Sequence, residues 1–230
     1  MQHSPPEAAG AQDEESVAVR ESIAASCTTG HGAFGGAFPR LLPGLLAGGG
    51  AIGLLSAFVL AVEKVALLKD PGYTPSCSIN PVLSCGSVMT TPQAEAFGFP
   101  NPLLGIAGFA MVTTIGVILW TDAVLPRWFW WGLQAGTTFG VLFVHWLIFQ
   151  SLYRIEALCP YCMAVWAVMI PIFLYTTLHN LTDDRSRMPP RLQHAARSVA
   201  GFHGVVLTAW YLTITALILE RFWSYWTALV

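Results

Sequence analysis

The chain has 230 residues, of which 54% are hydrophobic and only 10% charged, and its mean hydropathy is +0.57. Soluble domains carry about 25% charged residues, so this composition excludes a surface solvated by water alone and makes lipid part of the solvent. The net charge of −2 excludes a polybasic nucleic-acid binder, and the length leaves room for one bundle without a second folded domain.

Residues 1–38 stand apart from the rest. They hold Pro5, Pro6, a short acidic stretch (Asp13, Glu14, Glu15) and a glycine-rich run from Gly30 to Gly36. With no apolar periodicity, the segment reads as a disordered cytoplasmic tail. It lacks the basic start and apolar core of a secretory signal. Residues 39–230 read as an all-α membrane domain, with a redox core at 41–180 and a long outer loop at 63–102. Hydropathy predicts five spans, roughly Leu41–Val62, Leu103–Thr121, Trp128–Tyr153, Cys159–Leu178 and Gly201–Leu219, each close to the 20 or so residues a membrane helix needs. Trp120, Trp128, Trp130 and Trp131 mark one interface; Trp223 and Trp226 mark the other.

Lys and Arg set the expected orientation. With the tail inside, the inner segments hold Arg20, Arg40, Arg127, Arg185, Arg187, Arg191 and Arg197, and the outer ones Lys64, Lys69, Arg154 and Arg221. The inner excess is concentrated in one short loop, where the positive-inside rule is most reliable. Loops 63–102 and 154–158 then face the oxidising side. Cys77, Cys85, Cys159 and Cys162 lie there, and Cys27 stays in the inner tail, where it is expected to be idle.

Cys159-Pro160-Tyr161-Cys162 opens a helix. Pro160 suits the first helical position, since its missing N–H would be unpaired there anyway. A cysteine at that end meets unpaired N–H groups and the positive end of the helix dipole, which favour the thiolate. Such a CxxC is suited to redox exchange, against the alternatives of a structural disulfide or half a zinc site. Cys77 and Cys85 sit eight residues apart in a Pro/Ser-rich loop, a spacing that by itself fits a structural staple. Two pairs on one face also make a relay possible, because exchange needs only one thiolate near a neighbouring disulfide; a loop pair can swing, whereas a helix-end pair is fixed beside the lipid. Four convergent cysteines would be needed for a zinc site, and the loop pair's setting speaks against it.

These residues resemble the vitamin K epoxide reductase family, the bacterial branch most closely. The resemblance rests on Cys77-Ser-Ile-Asn-Pro-Val-Leu-Ser-Cys85-Gly-Ser-Val-Met-Thr-Thr91, on Phe99-Pro-Asn101-Pro-Leu-Leu-Gly105 and on Cys159-Pro-Tyr-Cys162, and it spans residues 41–180. It implies a four-helix bundle around a quinone site plus a fifth transmembrane helix, in a bacterial inner membrane. It also implies a membrane quinone (menaquinone or ubiquinone) and no metal, and a separate thioredoxin-fold oxidase, since the chain stops at Val230 without such a domain. Cys77 and Cys85 would take electrons from that partner, Cys85 would exchange with Cys159, and Cys162 would reduce the quinone. Asn101 falls at the family's quinone-binding asparagine and Thr91 at its loop Ser/Thr position. Trp166 stands where vertebrate members have a tyrosine, which puts epoxide chemistry in doubt.

Spacing alone makes Asn101 and Thr91 ordinary helix caps, each followed by a proline at the first helical position. His145, ionisable at membrane depth, is either a proton relay or a hydrogen bond to a neighbouring helix. The activity expected is a thiol–quinone oxidoreductase that regenerates protein disulfides. The alternatives are a quinone or quinone-epoxide reductase, or a stapled membrane scaffold or transporter. For the transporter, Pro171 and the glycines at 44 and 48–50 would have to break helices.

Overall fold

The computed structural model describes residues 38–70, 72–182 and 190–228. The expected tail with Cys27 therefore lies outside the described residues, as do Arg185 and Arg187. Among the described residues, five helices are long and apolar enough to cross a membrane. In chain order, α1 is Phe38–Lys69. The loop after α1 then carries a short α2 (Cys85–Met89) and a 3-10 turn (Pro92–Glu95). α3 is Asn101–Trp120, α4 is Arg127–Gln150, and a π turn at Ser151–Ile155 follows it. α5 is Pro160–Thr182, α6 is Pro190–Gly201, α7 is His203–Arg221 and α8 is Trp223–Ala228.

All five expected spans are helices, with one informative shift at a boundary. The hydropathy reading ends the first span at Val62, because Glu63 and Lys64 interrupt the apolar run. The helix in fact continues to Lys69, because both charged side chains find partners in the loop that folds over them. α5 runs unbroken through Pro171, so the proline does not produce the broken helix a transporter site would use.

Small residues let the helices approach. A Cβ on Gly116 of α3 would lie 2.7 Å from the Ala47 Cα of α1, and one on Gly53 of α1 would lie 2.5 Å from the Phe109 ring of α3. Backbone contact of this kind gives membrane helices dense packing where no hydrophobic effect drives them together. α4 and α5 are joined by side-chain amides. Gln134 Nε2 donates to Thr177 Oγ1 at 2.9 Å, and Asn180 Nδ2 donates to Gln134 Oε1 at 3.0 Å.

α7 is fastened to this group from outside. Trp210 Nε1 donates to His145 Nε2 at 2.9 Å and Tyr211 Oη donates to the Ala167 carbonyl at 2.5 Å. Near the end that carries the cysteines, Arg221 Nε donates to the Leu152 carbonyl at 3.0 Å and the guanidinium pairs with Glu156. Glu156 takes a left-handed conformation, φ 58°, which turns the chain out of the π turn toward Cys159.

Candidate redox site

The loop holding the first cysteine pair is built by its own polar residues. Asn80 Oδ1 accepts from the N–H groups of Val82 (3.0 Å) and Leu83 (2.7 Å), an Asx turn that folds the segment back. Ser84 caps α2 by accepting the Ser87 N–H, which sets Cys85 at the start of that helix. Cys77 and Cys85 form a disulfide. A cystine offers no thiolate to zinc, so the four cysteines do not compose a tetrahedral site in this state.

The second pair meets the first through a single rung of parallel β-bridge between Leu83 and Leu158. The Leu158 N–H donates to the Val82 carbonyl at 2.7 Å and the Ser84 N–H to the Leu158 carbonyl at 2.9 Å. Each strand places a cysteine just beyond this rung, and Cys85 Sγ lies 3.2 Å from Cys159 Sγ. Cys159 and Cys162 are free thiols, so the Cys159 S–H is the donor in this contact. In this structure the loop pair is docked against the helix pair. Cys85 is fully buried, Cys159 is 1% exposed and Cys77 5%.

Cys159 occupies the cap position of α5. Its carbonyl accepts the first helical bond, from Met163 N–H at 2.9 Å. Its sulfur accepts the Cys162 N–H at 3.4 Å, the bond a capping serine or aspartate oxygen would ordinarily take. A hydrogen bond from the Cys162 thiol holds the Cys159 thiol below its ordinary range. Burial opposes that shift, and the backbone N–H groups of Cys162 and Tyr161 add to it. The sulfur so favoured as a thiolate is the one facing the loop disulfide.

Below the sulfurs, α1, α3, α4 and α5 enclose a cavity of about 540 Å³ that Cys159 and Cys162 both line, within the usual range for a small-molecule site. Its walls are mostly apolar, with Trp166, Met169, Phe143 and Val112 among them, and its polar groups include Asn101, Gln93, Lys64 and Ser151. An apolar chamber with a thiol and a few hydrogen-bonding groups suits a lipid-soluble quinone ring, which needs donors at its carbonyls and no other polar contact. No α7 residue lines it among the described residues.

Asn101 lines this cavity, but its side chain does not cap α3, where Pro100 holds the cap position without a side-chain bond. Its Oδ1 accepts the Ala96 N–H at 3.1 Å, and its Nδ2 donates to the Gln93 carbonyl at 2.8 Å. One N–H of the carboxamide remains for a ligand. Thr91 sits ahead of the 3-10 turn and donates back to the Val88 carbonyl at 2.8 Å. Val88, Met89, Gln93 and Ala94 around it line the cavity, while Thr91 is not among the lining residues. Of the two readings for His145, the structure takes the neighbouring-helix one. Nδ1–H donates to the Val141 carbonyl at 2.7 Å while Nε2 accepts from Trp210. Trp166 is 3% exposed and forms part of the cavity wall.

Sequence reasoning missed the role of Glu63 and Lys64, ending a span before them and counting Lys64 only among the outer charges. Both are buried and hold the loop. Their signal was present in the sequence as two adjacent charges on an otherwise apolar helix, a pattern that marks functional positions in membranes.

The family model described as the vitamin K epoxide reductase family matches residues 44–177, more than half of the chain. That interval takes in all four paired cysteines, Asn101 and the cavity. No curated protein matches the sequence.

Proposed function

This chain belongs to the vitamin K epoxide reductase family, multi-pass membrane oxidoreductases that act on a quinone, and from that premise we propose that it regenerates protein disulfides. Electrons enter from the dithiol of a thioredoxin-fold protein and leave on a membrane quinone, menaquinone or ubiquinone. The redox cysteines face the extracytoplasmic side of a bacterial cell membrane, with the N-terminus in the cytoplasm. Oxidised cysteine pairs belong in such a compartment.

The sequence of steps follows from thiol–disulfide exchange. A partner thiolate attacks Cys77 and breaks the Cys77–Cys85 bond. The partner's second thiolate then resolves the mixed disulfide, so the partner leaves oxidised and the loop pair is reduced. The Cys85 thiolate attacks Cys159 of a Cys159–Cys162 disulfide and releases Cys162. Cys77 then attacks Cys85, which restores the loop disulfide and frees Cys159. The dithiol at Cys159 and Cys162 finally gives two electrons and two protons to the quinone and closes to a disulfide. Asn101 is suited to hold a quinone carbonyl through its remaining N–H.

The observation that carries this reading is the 3.2 Å approach of Cys85 Sγ to Cys159 Sγ, with the loop pair oxidised and the helix pair reduced. That arrangement matches the stage after internal transfer and before quinone reduction. A stapled scaffold would have no use for a free thiol lodged against its staple. The test is quinone bleaching by the purified protein given a reduced thioredoxin-fold oxidase. Wild type bleaches the quinone and Cys85→Ala does not; no bleaching by wild type, or equal bleaching by the variant, refutes the reading.

A further inference from the structure

Resting on that reading, the sulfur that must react with a soluble partner, Cys77, is out of its reach. Cys77 is 5% exposed and Cys85 fully buried, so the loop has to leave its seat and return to it once per cycle. The β-bridge sets the register of the seat, but charged side chains of α1 hold the loop's two flanks.

We infer that Glu63 and Lys64 are positioning residues: together they seat the loop disulfide over Cys159, and their release from the loop admits a partner dithiol to Cys77. Glu63 Oε1 accepts from Ser76 Oγ at 2.5 Å and from Ser76 N at 3.3 Å, one residue ahead of Cys77. Lys64 Nζ donates to the Met89 carbonyl at 2.7 Å, at the end of the helix that Cys85 opens, and pairs with Glu95 at 2.9 Å. One charge thus governs the flank of each cysteine.

Adjacent residues on a helix point about 100° apart, so the two side chains grip the loop from different directions. Lys64 also shares a helix face with Leu60 and Leu67, which pack against the cysteine cluster. Both charges are buried while the loop is seated, at 7% and 8% exposure. Glu63 Oε2 has no hydrogen bond among the described residues, so the carboxylate depends on the loop for its partners. A charge at the end of a membrane helix needs either such partners or water. The seated loop supplies the first and a lifted loop admits the second, which makes two states out of one contact set. The opposite signs matter as well, since each flank is held by a different bond and neither half of the loop lifts without breaking one.

The test leaves Glu63 and Lys64 intact, because replacing a buried charge can prevent folding, and changes their loop partners, neither of which lines the cavity. Ser76→Ala removes the hydroxyl donor to Glu63, and Glu95→Gln removes the ion pair of Lys64. With reduced thioredoxin as the probe, kcat/KM for thioredoxin rises about ten-fold or more in Ser76→Ala, as loss of a bond to a charged group implies. In Glu95→Gln it rises about two- to five-fold, in keeping with a partly exposed pair. The kcat of quinone bleaching does not rise in either. Ser76→Thr, which keeps the hydroxyl, returns kcat/KM toward wild type, as general loosening of the protein would not. Values within two-fold of wild type in both variants, or Ser76→Thr as fast as Ser76→Ala, overturn the inference. A wild type that bleaches no quinone sinks the proposed function instead, so the two failures are distinguishable.

Discussion

The approach of Cys85 to Cys159 predicts a bond that this structure does not contain. Replacing Cys77 by Ala and Cys162 by Ser leaves Cys27, Cys85 and Cys159 as the thiols of the chain. The sulfurs of Cys85 and Cys159 are 3.2 Å apart and a disulfide requires about 2.05 Å, so about 1.2 Å of combined movement closes the bond. The backbone rung at Leu83 and Leu158 already fixes the register. Mild oxidation therefore cross-links the double variant within one chain. Full alkylation in denaturant then labels Cys27 alone, and peptide mass spectrometry finds the segment around Cys85 joined to that around Cys159. The new bond closes a separation of 74 residues, against 8 in the native pair. On the chain-entropy account it stabilises the fold by about 4.5 kcal/mol, where the native loop contributes about 2.6 kcal/mol. The oxidised variant unfolds in detergent at a higher temperature than the same variant reduced. Continued alkylation of Cys85 and Cys159 after oxidation would refute the geometry on which the relay rests.

The pH dependence of Cys159 alkylation tests what ionises this thiol. Its thiolate fraction grows as pH rises through a pKa held below the ordinary 9.0, so the alkylation rate of wild type, slowed at every pH by the burial of this sulfur, levels off at a lower pH than that of a typical thiol. Cys162→Ala moves the inflection upward, because the Cys162 thiol is the largest cause of the shift, and it abolishes quinone bleaching; an unmoved inflection rejects the cause assigned. At Asn101, Asp raises the quinone KM more than Ser does, since a carboxylate cannot donate to a quinone carbonyl; equal KM values in folded variants reduce the residue to its bonds with Gln93 and Ala96. Gly116→Ala drives a methyl into the backbone of Ala47 and costs about 1–3 kcal/mol, read as a lower unfolding midpoint in detergent, whereas an unchanged midpoint contradicts the close approach of α1 and α3.

The spans were legible because each is a run of apolar residues at membrane length, and the cap at Cys159-Pro160 because proline has few places to sit in a helix. The family was legible from three motifs in order. The seating of the loop was not, because its register is carried by main-chain hydrogen bonds at Val82, Ser84 and Leu158, which no side-chain pattern encodes. Hydropathy also treated Glu63 and Lys64 as a boundary, since a scale that scores residues singly cannot see Ser76 and Met89 returning to meet them. Asn101 was read as the cap of a helix, but Pro100 holds that position and the Asn101 side chain bonds backward to residues 93 and 96, where only the folded turn places an acceptor and a donor.

The rung between Leu83 and Leu158 also bears on how such a protein tolerates change. Because the alignment of its two redox pairs is written in backbone donors and acceptors, the side chains at Val82, Leu83 and Leu158 can drift among residues that fill the same space while the sulfurs keep their registration. The vulnerable replacement is proline, which has no N–H to give. At Ser84 or Leu158 it would remove one of the two bonds and let the cysteine pairs slide past each other, even though every cysteine remained in place. Inherited loss of function at these two positions would thus be a matter of registration, in a protein whose reactive groups were all still intact.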